Sequence, residues 1–243
     1  MKAVILAAGM GTRLNPLTNK RPKCLIEVNG ESILKTGLRH LSHLGIEETV
    51  IVVGYAKEQI MDEIGYEFNS MKISYIENNI FDKTNNMYSL WLARGYLEAG
   101  CILIEGDVVF EEEIVSKLQK SDENKSYWLV DKFSKEMDGC MIKTKNDGHI
   151  HAIQIIRSKL TELEPNSFKS VGILKITPEF GKHLSQWLSR SVKDGDVNIY
   201  YDLVISENIN SYPVYALDVN GSMWFEIDDI HDLRKAETLF SRQ

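Results

Sequence analysis

The residues best suited to chemistry lie near the amino terminus, where a short apolar run leads into two glycines and two cationic side chains. Residues 6–14 read LAAGMGTRL, and Pro22 and Lys23 follow a few positions later. Small residues and glycines let backbone N–H groups approach an anion closely and form a concave site for it. Arg13 offers a planar fork that suits phosphate oxygens, and Lys23 offers a compact point charge. The pattern therefore predicts a binding site for a chain of phosphates.

Two common phosphate-binding motifs do not fit this segment. A P-loop needs Gly-Lys-Ser or Gly-Lys-Thr, and neither occurs in the sequence. The dinucleotide fingerprint needs glycines that open a helix, whereas Pro16 follows Gly11 too closely for that. A glycine-rich turn with two solvated cations is the alternative interpretation.

Carboxylates occur in two segments that could together hold a metal ion. Asp107 follows an apolar run and a glycine, which predicts a position at the carboxyl end of a strand. Residues 224–228 alternate, so Glu226 and Asp228 share one face of a strand. Mg²⁺ prefers hard oxygen ligands, and these three carboxylates form the predicted Mg²⁺ site. The alternatives are a turn-forming aspartate, a solvated strand face and a helix cap at Asp228.

Catalysis at such a site does not require a covalent nucleophile. The scattered histidines and serines form no recognisable triad. In phosphoryl-type transfer the main task of the protein is positioning and charge neutralisation.

The first half of the chain carries the elements that must position these groups. Strand and helix patterns alternate, beginning with a strand, over residues 2–6, 32–44, 49–53, 57–64, 72–76, 86–97 and 101–105. This order predicts an α/β fold with a mostly parallel sheet and helices on both faces. Ligands on such sheets bind at the carboxyl ends of the strands, where both the glycine loop and Asp107 lie.

The second half of the chain is richer in strands. Strand patterns cover residues 126–130, 139–143, 149–156, 170–176, 214–219 and 223–227, and helix patterns cover 178–188, 200–206 and 229–240. No repeat or linker divides the chain. We therefore predict one domain, residues 1–243, with a nucleotide-binding half over about 1–110. The β elements of the other half, about 111–243, are expected to form the walls of an acceptor site.

Composition argues against several classes of function. The 243 residues carry a net charge of −7, which disfavours a nucleic-acid partner because phosphate backbones require basic patches. No apolar run approaches the ~18 residues of a membrane span, and the amino terminus lacks the pattern of a signal peptide, so no membrane partner is expected. Three distant cysteines without metal-ligand spacing indicate free thiols in a reducing cytoplasm.

The LAAGMGTRL segment, followed by Arg-Pro-Lys at 21–23, resembles the signature of the sugar-1-phosphate nucleotidyltransferase superfamily. The resemblance implies a Rossmann-like α/β fold and attack by an acceptor phosphate on the α-phosphate of a nucleoside triphosphate, which releases pyrophosphate. It implies catalytic roles for Arg13, Lys23 and Asp107, with Lys23 stabilising the charge that develops on the α-phosphate. It also places metal-binding acidic residues at both carboxylate segments. The implied nucleotide contacts from this region are Leu6, Ala8, Gly9, Gly11, Thr12, Arg13 and Lys23.

A second segment indicates which nucleotide is used. Residues 78–90 read NNIFDKTNNMYSL, and together with Trp-x-Glu-Ile-Asp at 224–228 they are similar to bacterial phosphocholine and 2-aminoethylphosphonate cytidylyltransferases. The resemblance implies CTP as the donor. Asparagine side chains both donate and accept hydrogen bonds, so they could read a pyrimidine edge or a ribose hydroxyl, and an Asx-rich capping turn is the alternative. The nucleotide contacts predicted here are Asn78, Asn85, Asn86 and Ser89.

The acceptor site is predicted from aromatic and acidic residues of the second half. A cationic amine favours aromatic faces and a carboxylate. The pair Tyr201-Asp202 falls where the related choline enzymes have an aromatic–Asp pair, although the middle of the chain does not match their pattern residue by residue. Single aromatic residues are also frequently core residues. The predicted acceptor contacts are Trp128, Asp131, Tyr201, Asp202 and Trp224, with Tyr200 as a further candidate.

Three functions stay open on this basis. The first is Mg²⁺-dependent transfer of CMP from CTP to a small acceptor such as phosphocholine, aminoethylphosphonate or a related capsule or lipopolysaccharide precursor. The second is a sugar-1-phosphate uridylyl- or thymidylyltransferase, against which the short chain counts. The third is a non-catalytic, nucleotide-binding regulatory subunit, against which the full set of charged site residues counts. The identity of the acceptor and the oligomeric state, a homodimer included, stay open.

Overall fold

Alternating apolar residues along the first strand determine the layers of the fold. In the computed structural model, which describes residues 1–241, this strand is β1 (Lys2–Ala7), and it is buried over nearly its whole length. Ile5 packs into one hydrophobic core, and Val4 and Leu6 pack into a second one. Successive side chains of a strand point to opposite faces of the sheet, so the sheet is covered on both faces.

The other elements follow in chain order. The remaining strands are β2 (Glu27–Val28), β3 (Glu31–Ser32), β4 (Glu48–Val53), β5 (Glu67–Phe68), β6 (Met71–Glu77), β7 (Cys101–Glu105), β8 (Val108–Phe110), β9 (Ser126–Lys132), β10 (Gly139–Thr144), β11 (Ile150–Ile156), β12 (Ser167–Ile176), β13 (Val214–Asp218) and β14 (Trp224–Glu226). The helices are α1 (Ile33–His43), α2 (Lys57–Ile64), α3 (Asn86–Leu92), α4 (Arg94–Glu98), α5 (Glu112–Lys120), α6 (Pro178–Asp194), α7 (Tyr201–Asn208) and α8 (Ile230–Phe240).

The strand order brings the predicted ligand-binding ends together. Across the described residues, ten strands form the main sheet in the order β11-β10-β12-β7-β1-β4-β6-β5, with β9 paired to β12 and β13 paired to β9. Strands β7, β1, β4 and β6 are parallel, whereas β12 runs antiparallel to β7. The carboxyl ends of β1 and β7 therefore meet at one edge of the sheet. The predicted Rossmann-like α/β fold, mostly parallel with added β elements in the second half, is confirmed.

Helices cover both faces of the sheet, as predicted. Residues of α1, α2 and α5 belong to one core, and residues of α3, α4, α6 and α7 belong to the other. A third cluster joins Leu233 of α8 to Leu14 of the glycine loop and to Ile227 after β14. This third cluster holds the chain after β14 against the loop that follows β1.

Several element boundaries differ from the prediction for local reasons. The helix predicted over residues 86–97 is two helices, α3 and α4, interrupted at Ala93. Helix α6 continues past residue 188 to Asp194 and ends at Gly195, whose positive φ of 88° is the usual helix-ending conformation. The sequence patterns do not predict β8 or α5. Strand β8 spans only three residues and pairs with the distant β14.

The described part of the chain ends at Ser241. Arg242 and Gln243, the last residues of the predicted 1–243 domain, lie outside it, and the division into a nucleotide-binding and an acceptor-binding half stays a prediction. No helix within residues 1–241 is both long enough and apolar enough to span a bilayer.

Candidate active site

A cavity of about 520 Å³ opens at the carboxyl ends of β1 and β7. Residues from both halves of the chain line it. The lining includes every predicted nucleotide-binding, catalytic and metal-binding residue, one predicted acceptor contact, Asp202, and the further acceptor candidate Tyr200. The others are Leu6, Ala8, Gly9, Gly11, Thr12, Arg13, Lys23, Asn78, Asn85, Asn86, Ser89, Asp107, Glu226 and Asp228.

The glycine loop after β1 is shaped by its own contacts. Gly11 has a φ of +60°, a left-handed conformation that residues with side chains rarely adopt. A Cβ atom at residue 11 would lie 2.8 Å from the Cβ atom of Lys23, so the glycine also makes room for the lysine stem. The hydroxyl of Thr18 donates to the carbonyl oxygen of Gly11 at 2.8 Å. Lys23 is therefore held directly beside the glycines.

Lys23 lies between two carboxylates. Its Nζ atom is 2.6 Å from Oδ2 of Asp107 and 2.8 Å from Oδ1 of Asp228, and its side chain is 15% exposed. Burial alone would lower the pKa of Lys23, but the two carboxylates outweigh burial and hold the pKa above its usual value. Lys23 is thus a charged hydrogen-bond donor in the wall of the cavity.

Arg13 reaches one of these carboxylates from the solvent side. Its Nη2 atom lies 2.7 Å from Oδ1 of Asp228, and its own side chain is 68% exposed. Burial alone would raise the pKa of Asp228, but Lys23 and Arg13 lower it below its usual value. Because an exposed ion pair contributes little free energy, Arg13 can move from Asp228 toward a ligand at small cost.

A short pair of strands brings the three predicted metal ligands together. Strands β8 and β14 pair antiparallel, with Glu226 opposite Val108. The N–H of Ile227 then donates to the carbonyl oxygen of Asp107 at 3.0 Å. As a result, one carboxylate oxygen from each of Asp107, Glu226 and Asp228 lies within 4.8 Å of the other two. We refer to these three residues as the carboxylate cluster.

The carboxylate cluster fits a hard divalent cation. Oδ1 of Asp107 is buried and has no hydrogen-bond partner among the described residues, whereas buried polar atoms normally have one. Burial raises the pKa of Glu226, and the charges of Asp107 and Asp228 raise it further, against the opposing effect of Lys169. A bound cation would give Oδ1 of Asp107 a partner and would offset the carboxylate repulsion that raises the pKa of Glu226. Carboxylate oxygens are also ligands that Mg²⁺ prefers.

The predicted asparagines make hydrogen bonds within the protein; Asn86 accepts from the N–H of Tyr201 at 3.1 Å, and the other two bond within their own segment. Asn78 is 2% exposed and donates from Nδ2 to the hydroxyls of Thr84 and Ser89 at 3.0 and 3.1 Å. The side chain of Asn85 accepts from the N–H of Asn86 at 2.8 Å and caps α3. Both contacts agree with the alternative interpretation of this segment as a capping turn, while all four predicted residues still line the cavity.

Two acids, the half-buried Glu105 and the buried Asp202, lie at the far end of the cavity, a part that we define by Glu105, Cys140, Lys169 and Asp202. Burial raises the pKa of Glu105, and the neighbouring Asp202 raises it further. Burial also raises the pKa of Asp202, although a hydrogen bond from the Cys140 thiol opposes the rise. Nδ2 of Asn86 lies 3.5 Å from Oε1 of Glu105. The far end therefore brings two acids together in surroundings that disfavour their charged forms.

Several lining residues are absent from the sequence-based set. Those with charged side chains are Glu105, Asp138, Arg157 and Lys169, and Cys140 is another. Two of them carry a signal that the sequence displays. Glu105 is an acid at the end of the apolar strand β7, and Lys169 is a buried cation within the largely buried strand β12. A charged residue in a buried strand is uncommon unless it is paired or functional.

Four predicted acceptor residues do not line the cavity that the described residues form, namely Trp128, Asp131, Tyr201 and Trp224, whereas the candidate Tyr200 does. Trp128 is fully buried in the core beneath the far end, stacked on Tyr201 at 6.1 Å between ring centroids. Asp131 accepts from Nε1 of Trp224 at 2.8 Å, so these two side chains bond to each other. Asp202 is thus the acid of the predicted aromatic–Asp pair that reaches the cavity, whereas Tyr201 packs behind it.

Comparisons with known proteins agree with this geometry. A family model described as Nucleotidyl transferase matches residues 2–162. The CMP-5′-(3-aminopropyl)phosphonate synthase of Streptomyces rubellomurinus is 30% identical in an alignment that covers 99% of this chain and 39% of that protein. The choline-phosphate cytidylyltransferase of Streptococcus pneumoniae is 26% identical in an alignment that covers 100% of each chain. The 2-aminoethylphosphonate cytidylyltransferase of Lancefieldella rimae is 28% identical over 95% of this chain and 89% of that one.

Solved structures share the fold over nearly the whole chain. The CTP:phosphocholine cytidylyltransferase from Streptococcus pneumoniae superimposes with a TM-score of 0.82 at 26% identity, and the match covers 98% of each chain. The inositol-1-phosphate CTP transferase from T. maritima has a TM-score of 0.76 at 24% identity over 99% of this chain and 95% of that one, a likeness of fold alone. The Streptomyces rubellomurinus relative is longer, since this chain spans only about two fifths of it.

Proposed function

This chain belongs to the nucleotidyl transferase family, and we propose that it transfers CMP from CTP to a small acceptor that bears a phosphate or phosphonate, with release of pyrophosphate. The observation that carries the proposal is the meeting of the glycine loop, Lys23 and the carboxylate cluster in one cavity. Transfer at the α-phosphate of a nucleotide depends on positioning and on neutralising charge, which is what these groups can do.

On the nucleotide side, the glycine loop and two cations bind and orient the triphosphate in this proposal. Because Gly9 and Gly11 have no side chains, phosphate oxygens can approach the backbone N–H groups between residues 8 and 12. Lys23 stabilises the charge that develops on the α-phosphate, and Arg13 swings from Asp228 to the phosphate tail. The buried position of Lys23 supports its role, because a charged donor acts more strongly where water is scarce.

The carboxylate cluster is the proposed Mg²⁺ site. When bound there, Mg²⁺ would neutralise part of the triphosphate charge and hold the phosphates in line with the acceptor. Asp107, Glu226 and Asp228 hold the ion in this proposal, and the unpaired Oδ1 of Asp107 supports it. Lys23 bridges Asp107 and Asp228 and so holds both side chains in place.

At the far end of the cavity we propose a site for the positive charge of the acceptor. Three relatives are named for aminopropylphosphonate, choline phosphate and aminoethylphosphonate, and each of these molecules combines a phosphorus-centred anion with an ammonium. The acids Glu105 and Asp202 support recognition of an ammonium, because a further cation at the far end would favour their charged forms, which burial opposes. The choice of CTP rests on the same relatives.

The net charge of the chain and its cysteines bear on the kind of partner and on the compartment. A net charge of −7 supports small-molecule substrates rather than nucleic acid. The cysteines Cys24, Cys101 and Cys140 are free, which supports a reducing cytoplasm as the compartment.

The test is pyrophosphate release. We expect Mg²⁺-dependent release from CTP together with 2-aminoethylphosphonate or phosphocholine, and none from CTP alone. Release from UTP or dTTP with a sugar 1-phosphate would replace the proposed acceptor and donor. Nucleotide binding without release under any of these conditions would favour the regulatory subunit instead.

A further inference from the structure

A buried lysine lies at the far end of the cavity and has no part in the roles proposed so far. Lys169 lies on β12, its side chain is 11% exposed, and its Nζ atom is 2.9 Å from Oε2 of Glu226. Lysines are rarely this buried unless they are paired. The contact with the Glu226 carboxylate is an ion pair, which is the kind of partner that a buried ammonium requires.

The neighbouring strand leaves space for this ammonium. Gly139 begins β10, which pairs antiparallel with β12, and it has a φ of +92°. A Cβ atom built at residue 139 would overlap Nζ of Lys169. Any other residue at 139 would therefore push the ammonium out of its position and would also strain the backbone. Two separate features of the sequence, a lysine and a glycine on adjacent strands, converge on one point in the cavity.

The ammonium of Lys169 lies between two parts of the cavity that have different tasks in the proposed reaction. On one side it contacts Glu226 of the carboxylate cluster. On the other side it lies against Gly139, the residue before Cys140, and Cys140 and Asp202 both line the far end. An acceptor with its ammonium at the far end and its reacting oxygen toward the nucleotide would place its phosphorus group between these two parts, next to Lys169.

We propose that Lys169 binds the phosphate or phosphonate of the acceptor, with Gly139 providing the space that keeps its ammonium in place. This inference rests on the proposed function. The acceptor arrives as an anion beside three carboxylates and a triphosphate, and a cation at the point of approach offsets that repulsion. An ammonium has three N–H donors, and Glu226 is its hydrogen-bond partner within residues 1–241. The other donors are available to acceptor oxygens.

Another cation of the lining is less well placed for this task. Arg157 is exposed, and its guanidinium lies 6.0 Å from the ring of Tyr200 rather than beside the carboxylate cluster. A different role for Lys169, merely compensating the charge of Glu226, would alter metal binding and leave the acceptor untouched. Those two alternatives give distinct results in the experiment below.

The test compares wild type with Lys169→Met, which keeps the length of the side chain and removes its charge. Methylphosphonate, the smallest anion that represents the reacting group, is titrated by ³¹P NMR into protein that carries Mg²⁺ and a non-hydrolysable CTP analogue. We expect its Kd to rise by about tenfold to a hundredfold in the variant, the range for losing a hydrogen bond to a charged group. The KM for 2-aminoethylphosphonate should rise in parallel, while the KM for CTP stays within about twofold.

A matched control and a second variant accompany it. Lys143 on β10 has a side chain that is 14% exposed and pairs with Glu164 at 2.8 Å, yet it does not belong to the lining of the cavity formed by residues 1–241. Lys143→Met should leave the methylphosphonate Kd unchanged. Gly139→Ala leaves Lys169 in the chain but displaces its ammonium, so it should also raise the Kd for methylphosphonate. This second variant keeps the test decisive if Lys169→Met folds poorly.

Each outcome bears on the inference separately from the proposed function. If wild type forms product but Lys169→Met binds methylphosphonate as well as wild type does, the inference is overturned and the proposed function stands. A changed Mg²⁺ half-saturation with unchanged methylphosphonate binding overturns it too, since Lys169 would then serve Glu226 alone. If no acceptor is converted by wild type, yet Lys169→Met and Gly139→Ala both lose affinity for methylphosphonate, the inference is supported and the proposed function fails.

Discussion

The Nζ atom of Lys23 lies 2.6 Å from Oδ2 of Asp107, although 84 positions separate the two residues in the chain. The glycine loop after β1 and the turn after β7 bring them together, because these two parallel strands end side by side. The contact joins the residue proposed to act on the α-phosphate to a residue proposed to hold Mg²⁺. It means that a change at either residue disturbs the charge balance of the other.

Replacing Lys23 by alanine should lower kcat strongly. Because Lys23 is proposed to act on charge that develops in the transition state, we expect a loss of at least about 100-fold for Lys23→Ala, the effect typical of one electrostatic donor. Steady-state kinetics with saturating CTP measure it. Lys20→Ala, an exposed lysine of the same loop that is outside the cavity lining of the described chain, serves as the control and should retain activity. A near-wild-type kcat in Lys23→Ala would refute the role.

Replacing Asp107 by asparagine should abolish Mg²⁺-dependent turnover without unfolding the protein. The change keeps the shape of the side chain and removes a charge that the carboxylate cluster uses for the metal. A Mg²⁺ titration of activity and a thermal melt check both halves of the prediction. Asp62→Asn, at an exposed position of α2 outside the cavity lining of the described chain, should behave as wild type in both assays. Unchanged Mg²⁺ dependence in Asp107→Asn would remove Asp107 from the proposed metal site.

Replacing Asp202 by asparagine should weaken the acceptor and spare the nucleotide. Asp202 is 5% exposed at the far end of the cavity, where its charge is proposed to face the ammonium of the acceptor. We expect the KM for 2-aminoethylphosphonate to rise about tenfold or more, with the KM for CTP nearly constant. Asp196→Asn, an exposed residue shortly before α7, is the matched control. Equal increases in both KM values would mean that Asp202 supports the cavity in general and does not recognise the acceptor.

Stability should decrease as the pH falls below about 6.5, partly because of His40. His40 on α1 is 5% exposed, and its Nε2 atom lies 3.0 Å from the carbonyl oxygen of Phe110. Burial lowers the pKa of His40, and the charge of Arg39 lowers it further. The unfolded chain therefore binds a proton at a higher pH than the folded chain does, and the free energy of unfolding drops between the two pKa values.

Urea denaturation at pH 7.5, 6.5 and 5.5 measures this dependence. His40→Gln can still donate to the Phe110 carbonyl oxygen but does not titrate, so its stability should fall less steeply over this range than that of wild type. The exposed His231 on α8 provides the comparison, since His231→Gln should leave the slope unchanged. Identical slopes for wild type and His40→Gln would contradict the prediction.

The parts of the fold that local patterns determine are predictable from the sequence. The alternation of strands and helices from β1 to β7, and the coverage of both faces, follow from the two apolar periods and are observed. Strand β8 could not be predicted, because three residues form a strand here only through pairing with β14 from the far end of the chain. Ala93 separates α3 from α4 without any glycine or proline at that point to signal the break.

The candidate site was predictable where a short contiguous motif carries it. The glycine loop, Lys23 and the carboxylates share the cavity with the Asn-rich segment, as the motifs implied. The far end is different, because Glu105 and Lys169 belong to it only through the side-by-side placement of β7, β12 and β10. Trp128 shows the converse limit, since an aromatic residue on a strand satisfies the pattern of a binding site and of a core equally well.

The most direct test of the central claim is the identity of the product. Purified protein is incubated with Mg²⁺, one of CTP, UTP, dTTP, ATP or GTP, and a pool of phosphocholine, 2-aminoethylphosphonate, glycerol phosphates and common sugar 1-phosphates, and the products are identified by mass spectrometry. We predict a CMP conjugate of an ammonium-bearing phosphate or phosphonate, formed only with CTP and in equal amount to pyrophosphate. A UMP or dTMP conjugate of a sugar phosphate, or no conjugate at all from protein that binds CTP, would contradict the claim.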